Sequence, residues 1–214
     1  MVNLRRTIRR QLMTTADYIK NDADDPCDDE TAKLSVEQLH RAGVVEDIIK
    51  DYNERDIKPH VVDLGPGDYW LPLGLKQRNA VFTYRPVSVQ PTAKLLAKDR
   101  LKDILIDHDP FKAPIIFLAM EIIEHLWNPH EIAQTADKIE NTPHHIVITT
   151  PLYTFGEGND TWTKPNDFGK LGHIRTFTPI EFQEEVTRMF FGYNWKMHIQ
   201  QCMVMEGTLK DEFK

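Results

Sequence analysis

Short apolar runs alternate with helix-start signals from residue 60 onward, and that alternation most narrows what the chain can fold into. Residues 60–64 (HVVDL), 80–84 (AVFTY), 103–107 (DILID), 115–119 (IIFLA) and 145–150 (HIVITT) are each short and rich in β-branched or aromatic side chains. Between them stand signals that begin helices. Asn128 offers an N-cap, with Pro129 at N1 and Glu131 at N3, and Thr178-Pro179-Ile180-Glu181 repeats the logic. Strands alternating with helices predict a mostly parallel sheet with right-handed crossovers and helices on its faces. Residues 195–204 predict one or two closing strands.

The segment before residue 60 reads differently. Residues 3–20 carry Leu4, Ile8, Leu12, Ala16 and Ile19 at helical spacing, with Arg5, Arg6, Arg9 and Arg10 on the remaining faces. A solvated helix face explains those arginines better than a phosphate contact does. Residues 21–30 hold six acidic side chains and Pro26, the pattern of a solvated linker. A second helix is predicted from Ser35 to about Asn53, with Leu39, Val44, Val45, Ile48 and Ile49 on its buried side. This divides the chain into a helical extension or cap over residues 1–58 and an α/β domain over residues 59–214.

Composition removes several function classes. With 26 basic against 33 acidic side chains the formal charge is −7, which weighs against a general nucleic-acid binder. Two cysteines, Cys27 and Cys202, and no CxxC argue against a disulfide framework or a cysteine-zinc site and favour a reducing, cytoplasmic setting. No apolar run approaches the roughly 18–20 residues of a membrane span. The arginines of residues 1–20 are not followed by the apolar core of a secretory signal.

Two places carry chemistry. Gly65-Pro66-Gly67 follows the first predicted strand, where glycines let backbone approach a ligand and a helix N-terminus offers free N–H groups. Tyr69 replaces a third glycine, so this is not the dinucleotide fingerprint, and a plain tight turn explains it as well. The second place is Glu121, Glu124 and His125, directly after the apolar run 115–119. On a helix, this spacing puts two carboxylates and an imidazole on one face. At the C-terminal edge of an open α/β sheet such a cluster points to an active site. The plainer reading makes the two glutamates first-turn acids that complement a helix dipole, with His125 a partly buried neighbour.

These motifs, in this order, resemble class I S-adenosylmethionine-dependent methyltransferases over about residues 60–205. Residues 61–67 (VVDLGPG) look like their first motif, and Met120 to Leu126 with Asn128-Pro129 resembles their E-x-x-E-H-L…P segment. Residues 148–151 (ITTP) resemble the strand-five motif, and residues 172–178 (GHIRTFT) with Phe182 resemble a G-H-x-R-x-F-T segment. The resemblance implies a Rossmann-like fold, S-adenosyl-L-methionine as cofactor, and a cofactor site formed by Asp63, Leu64, Gly65, Pro66, Gly67, Tyr84, Asp107 and Met120. Within the family, the E-x-x-E-H set is similar to that of ubiquinone-pathway and small-RNA 2′-O-methyltransferases. That narrower likeness implies a divalent metal (Mn, Zn, Fe or Mg) on Glu121, Glu124, His125 and His173, with His125 alternatively a general base. It implies O-methylation of a small-molecule or RNA hydroxyl.

Three departures favour an alternative, a non-catalytic methyltransferase-like binding module. The second predicted strand ends Thr83-Tyr84-Arg85-Pro86 without the family's ribose-binding acid. Tyr69 takes a glycine's place, and Asn141-Thr142-Pro143 stands for the usual Pro-Gly-Gly. Residues 153–170, with Phe155, Gly156, Gly158, Trp162, Pro165 and Gly169, have the length and aromatic content of a substrate lid.

Overall fold

A computed structural model describes residues 36–66, 69–87, 101–106, 112–152, 175–200 and 202–213. The predicted helix over residues 3–20, the acidic linker, the candidate lid, Gly67, Asp107 and His173 lie outside the described residues.

The chain opens with helix α1 (Val36–Asn53), then β1 (His60–Leu64), α2 (Trp70–Gln77), β2 (Thr83–Val87) and β3 (Ile115–Met120). Helix α3 (His130–Ala136), β4 (His145–Pro151), α4 (Pro179–Met189), β5 (Tyr193–Ile199) and β6 (Cys202–Leu209) complete it. Among the described residues six strands form one sheet in the order β2-β1-β3-β4-β6-β5. β2, β1, β3 and β4 run parallel, and β6 pairs antiparallel with both β4 and β5. The expected mostly parallel sheet with helices on its faces is therefore present, closed at one edge by an antiparallel hairpin.

Burial on both faces explains why the central strands are continuous apolar runs rather than alternating ones. Odd and even residues simply serve different layers. Val62, Ile115, Phe117, Ile146 and Ile148 pack with Ile132 and Ala136 of α3 and with Phe182, Val186 and Met189 of α4. Val61, Ile116, Leu118 and Val147 pack on the other face with Val45, Ile48, Ile49 and Tyr52 of α1 and with Leu71 and Leu75 of α2. Helix α1 is thus part of the second core layer. Its expected inward residue Leu39 is 49% exposed, because the buried stripe runs through Arg41, Val45, Ile48 and Tyr52 instead.

Several boundaries depart from the sequence expectation. The second strand begins at Thr83, three residues late, since Phe82 is consumed in the core just before it. Residues 103–107 give no full strand among the described residues, and a single parallel bridge joins Leu105 to Tyr84. Helix α3 starts at His130 with Pro129 at its cap, while Asn128 Oδ1 accepts from the His130 amide at 3.3 Å. The capping box of α4 forms as expected: Glu181 N–H donates to Thr178 Oγ1 and Thr178 N–H to Glu181 Oε2.

Candidate functional site

β1 continues to β2 on one side and, through the later chain, β3 lies on its other side, with Leu64 opposite Ala119. The strand order therefore reverses between β1 and β3. In an open α/β sheet the crevice at the C-terminal ends of such strands is where ligands bind. The two sequence clusters meet across it: Gly65 and Pro66 leave β1 there, and Glu121 leaves β3.

Gly65 adopts φ 66°, a left-handed conformation that a glycine takes without steric cost, and its amide donates to Val87 O at 3.1 Å. The chain turns through Pro66, whose carbonyl accepts from Tyr69 N–H at 3.0 Å. Tyr69 also has positive φ, 62°, and sends its ring into the core at 3% exposure, edge-on to Tyr84. Its hydroxyl is buried without a hydrogen-bond partner among the described residues. Burial, and secondarily the charge of Asp63, push the Tyr69 phenol up to about 12.

Asp63 and Tyr84 sit beneath this turn. The Tyr84 hydroxyl donates to Asp63 Oδ2 at 2.7 Å, and both side chains are buried. Burial raises the Asp63 carboxyl to about 7, with the Tyr84 hydrogen bond pulling the other way. Tyr84 is the second residue of β2, opposite Val61, and its hydroxyl meets Asp63. The strand-two end, where the resemblance puts a ribose-binding acid, is Val87 opposite Leu64, not the Tyr84-Arg85-Pro86 stretch. Leu64 is fully buried, and Met120 is half-buried at the end of β3.

The acid-and-imidazole cluster departs from the helical reading. Glu121 stands at φ 55°, outside any helix, and Ile123–His125 is a single 3-10 turn. The three side chains therefore do not share a helix face. A left-handed glutamate is a strained residue, and strain of this kind concentrates at functional sites. Thr149 secures it: Glu121 N–H donates to Thr149 Oγ1 at 3.1 Å, and Thr149 Oγ1 donates to Glu121 Oε1 at 3.0 Å. Arg41 of α1 pairs with the same Oε1 at 3.1 Å. Glu124 is wholly buried and accepts from Thr150 Oγ1 at 3.3 Å through Oε2. Burial and the neighbouring Glu121 hold its carboxyl well above the ordinary range. Its Oε1 has no hydrogen-bond partner among the described residues and lies 3.8 Å from His125 Nε2.

Among the described residues no three His, Cys, Asp or Glu side chains are grouped to hold an ion. Glu124 and His125 approach one another as a ligand pair would, but Glu121 is engaged by Arg41 and Thr149. The described donors do not assemble a metal site.

Arg41, Trp70, Thr149 and Thr150 complete the site. The Arg41 guanidinium lies 5.5 Å from the Trp70 ring centroid while pairing with Glu121. One sequence signal could have flagged it, a charged residue on the apolar stripe of an amphipathic helix. Next to the Glu124–His125 turn, a groove of about 600 Å³ is lined by Trp127, Arg175, Phe177, Glu181, Glu184 and Arg188, among others. Arg175 ties it to the turn, with its amide donating to Glu124 O at 3.3 Å and Nη2 to Trp127 O at 2.8 Å.

No protein-family model matches the sequence, and no curated protein matches it. Solved structures do. A small RNA methyltransferase HEN1 superposes over 86% of this chain with a TM-score of 0.61 and 16% identity, and the chain spans 27% of it. The methyltransferase domain of bacterial CtHen1 matches over 79% of the chain and 96% of its own length, with a TM-score of 0.53 and 19% identity. An O-methyltransferase family protein from Burkholderia thailandensis gives a TM-score of 0.53 at 11% identity, over 79% of this chain and 56% of its own. Among the described residues no helix is long and apolar enough to cross a membrane. What the chain shares with these structures is a fold, the Rossmann-like fold of class I S-adenosylmethionine-dependent methyltransferases.

Proposed function

We propose that the protein transfers a methyl group from S-adenosylmethionine to a hydroxyl oxygen of a small-molecule or RNA acceptor. One observation carries this reading: the Gly65 turn over a buried carboxylate, Asp63, opens onto the same crevice edge as Glu121, ahead of the Glu124–His125 turn. A cationic sulfonium compound suits the first cluster, and an acceptor proton suits the second.

In the transfer, the acceptor oxygen attacks the methyl carbon in line. The carbon–sulfur bond breaks, its electrons neutralise the sulfonium, and the hydroxyl proton goes to a base. His125 is the residue for that role, since an imidazole titrates near neutrality. Glu124 suits it less, because burial and the neighbouring Glu121 hold its carboxyl well above the ordinary range. Its Oε1 stands 3.8 Å from Nε2 of the His125 ring. Positioning and exclusion of water supply most of the rate. The groove beside Trp127 and Arg175 borders the same turn and offers an acceptor an approach to it. No step is assigned to a metal.

The test is transfer of a labelled methyl group. RNA whose terminal 2′-oxygen becomes methylated resists periodate, and a small-molecule acceptor releases S-adenosylhomocysteine without that protection. Turnover in either arm that vanishes in His125→Ala supports the reading. A second reading, a non-catalytic ligand-binding module, is motivated by β2, which carries no carboxylate in Thr83–Val87. Cofactor binding without turnover toward either acceptor class would favour it.

A further inference from the structure

The groove beside the Glu124–His125 turn carries an exposed indole and a charge of its own. Trp127 is 41% exposed, although the three residues of the turn before it are buried, and it belongs to neither core cluster. Phe177, almost wholly buried, also lines the groove, with the Arg175 guanidinium 6.0 Å from its ring centroid. At about 600 Å³ the groove has the size of a small-molecule site.

Glu181, Glu184 and Glu185 line it against Arg175 and Arg188. Most of these charges are already matched. Arg188 pairs with Glu185, whose charge also reaches Arg175. Arg175 donates through Nη2 to Trp127 O, and Glu181 accepts from Thr178 N–H at the start of α4. Glu184 is exposed and makes no hydrogen bond or ion pair among the described residues. The surplus charge of the groove is therefore negative, and it shares a cavity with an exposed aromatic ring. A polyanion such as RNA would bring its phosphates against that carboxylate and against a chain of formal charge −7. A cation finds both of its natural partners there, an aromatic face and an anion.

We propose that this groove is the acceptor subsite and that it takes a small organic cation bearing a hydroxyl, with Trp127 and Glu184 facing the positive charge. The inference rests on the proposed methyl transfer and names its acceptor class. Groove and proposed base belong to one stretch of chain. Trp127 follows His125 with only Leu126 between them, and Arg175 N–H donates to Glu124 O at 3.3 Å. A cation anchored in the groove can extend its hydroxyl toward that turn. Trp127 and Glu184 set specificity in this arrangement, and His125 keeps the proton transfer.

The test uses two probes of the same shape that differ in charge: choline, a quaternary ammonium with a hydroxyl, and 3,3-dimethylbutanol, its neutral carbon counterpart. Ligand-observed NMR titration of the full chain, with S-adenosylhomocysteine present, should show choline binding about tenfold more tightly than the alcohol. Trp127→Leu and Glu184→Gln should each weaken choline by about two- to tenfold. Glu184→Gln should leave the alcohol unchanged. Both variants should bind S-adenosylhomocysteine like wild type, which reports that the domain remains folded. A short single-stranded RNA should fail to displace choline. Equal affinity for the two probes, binding of neither, or displacement of choline by the RNA would overturn the assignment, and retained S-adenosylhomocysteine binding would leave the cofactor reading intact. Choline binding by a chain that does not bind S-adenosylhomocysteine would overturn the methyl-transfer reading, and the groove's role as acceptor site with it.

Discussion

The Tyr84 hydroxyl donates a 2.7 Å hydrogen bond to Asp63 in the core beneath the Gly65 turn, and that bond is what lets a buried carboxylate ionise near neutrality. Unfolded, Asp63 loses its proton near its ordinary value of 3.8, whereas in the fold it keeps it until about 7. Between those values the folded protein binds more protons than the unfolded chain. This group's contribution is therefore present at low pH and lost as pH rises toward 7. At about 1.4 kcal/mol per pH unit the loss accumulates to about 4 kcal/mol. Asp63→Asn should flatten the pH dependence of the urea midpoint across that window. Tyr84→Phe should extend the decline to higher pH. A wild-type midpoint already flat between pH 4 and 7 would contradict the buried-acid assignment.

Glu124 makes a related prediction with a different signature. Burial and the neighbouring Glu121 hold its carboxyl well above the ordinary range, and an amide keeps its shape without a charge. Glu124→Gln should gain stability relative to wild type as pH rises, because the buried wild-type acid gives up its proton at a cost that the amide does not meet. Glu124→Ala leaves a void and strands Thr150, costing about 2–4 kcal/mol. A stability difference between Glu124→Gln and wild type that stayed constant with pH would contradict the raised carboxyl.

The antiparallel edge can be tested by adding a methyl group. A Cβ at Gly207 would lie 2.6 Å from Trp195 Cζ3 and 2.7 Å from Cη2 on the paired strand β5. Gly207→Ala should destabilise by about 1–3 kcal/mol through overpacking. Adding Trp195→Leu should return part of that loss, because the clash is with the ring alone. The double variant being as unstable as the sum of the singles would show that the backbone, not Trp195, sets the limit.

Helix α4 offers the simplest check. Thr178→Ala removes the oxygen that accepts the Glu181 amide and should cost about 1 kcal/mol in chemical denaturation. Thr178→Ser should be close to neutral.

Much of this fold is readable from the chain, and the exceptions have physical causes. Runs such as Ile115 to Ala119 are apolar on both faces, which only a covered parallel strand explains, so the sheet could be inferred. Thr178 and Glu181 announce α4 through local chemistry alone. Glu121 was legible as a residue but not as a conformation. Its neighbours suggest a helix, and only the tertiary bonds from Thr149 and Arg41 hold it at φ 55°. The bounds of the second strand were missed for a similar reason. Periodicity starts the second strand too early, which makes a residue near the strand's beginning look like its end. Arg41 lies 80 residues from its partner Glu121, and no local pattern can pair them.

The central claim is a cofactor crevice between Gly65 and Glu121, and titration of the full chain with S-adenosylhomocysteine in a calorimeter tests it most directly. One molecule should bind per chain with micromolar affinity, and Gly65→Val, which forces a branched side chain into a left-handed turn, should abolish the heat while the protein still melts cooperatively. No heat up to millimolar ligand, or full binding by a folded Gly65→Val protein, would contradict it.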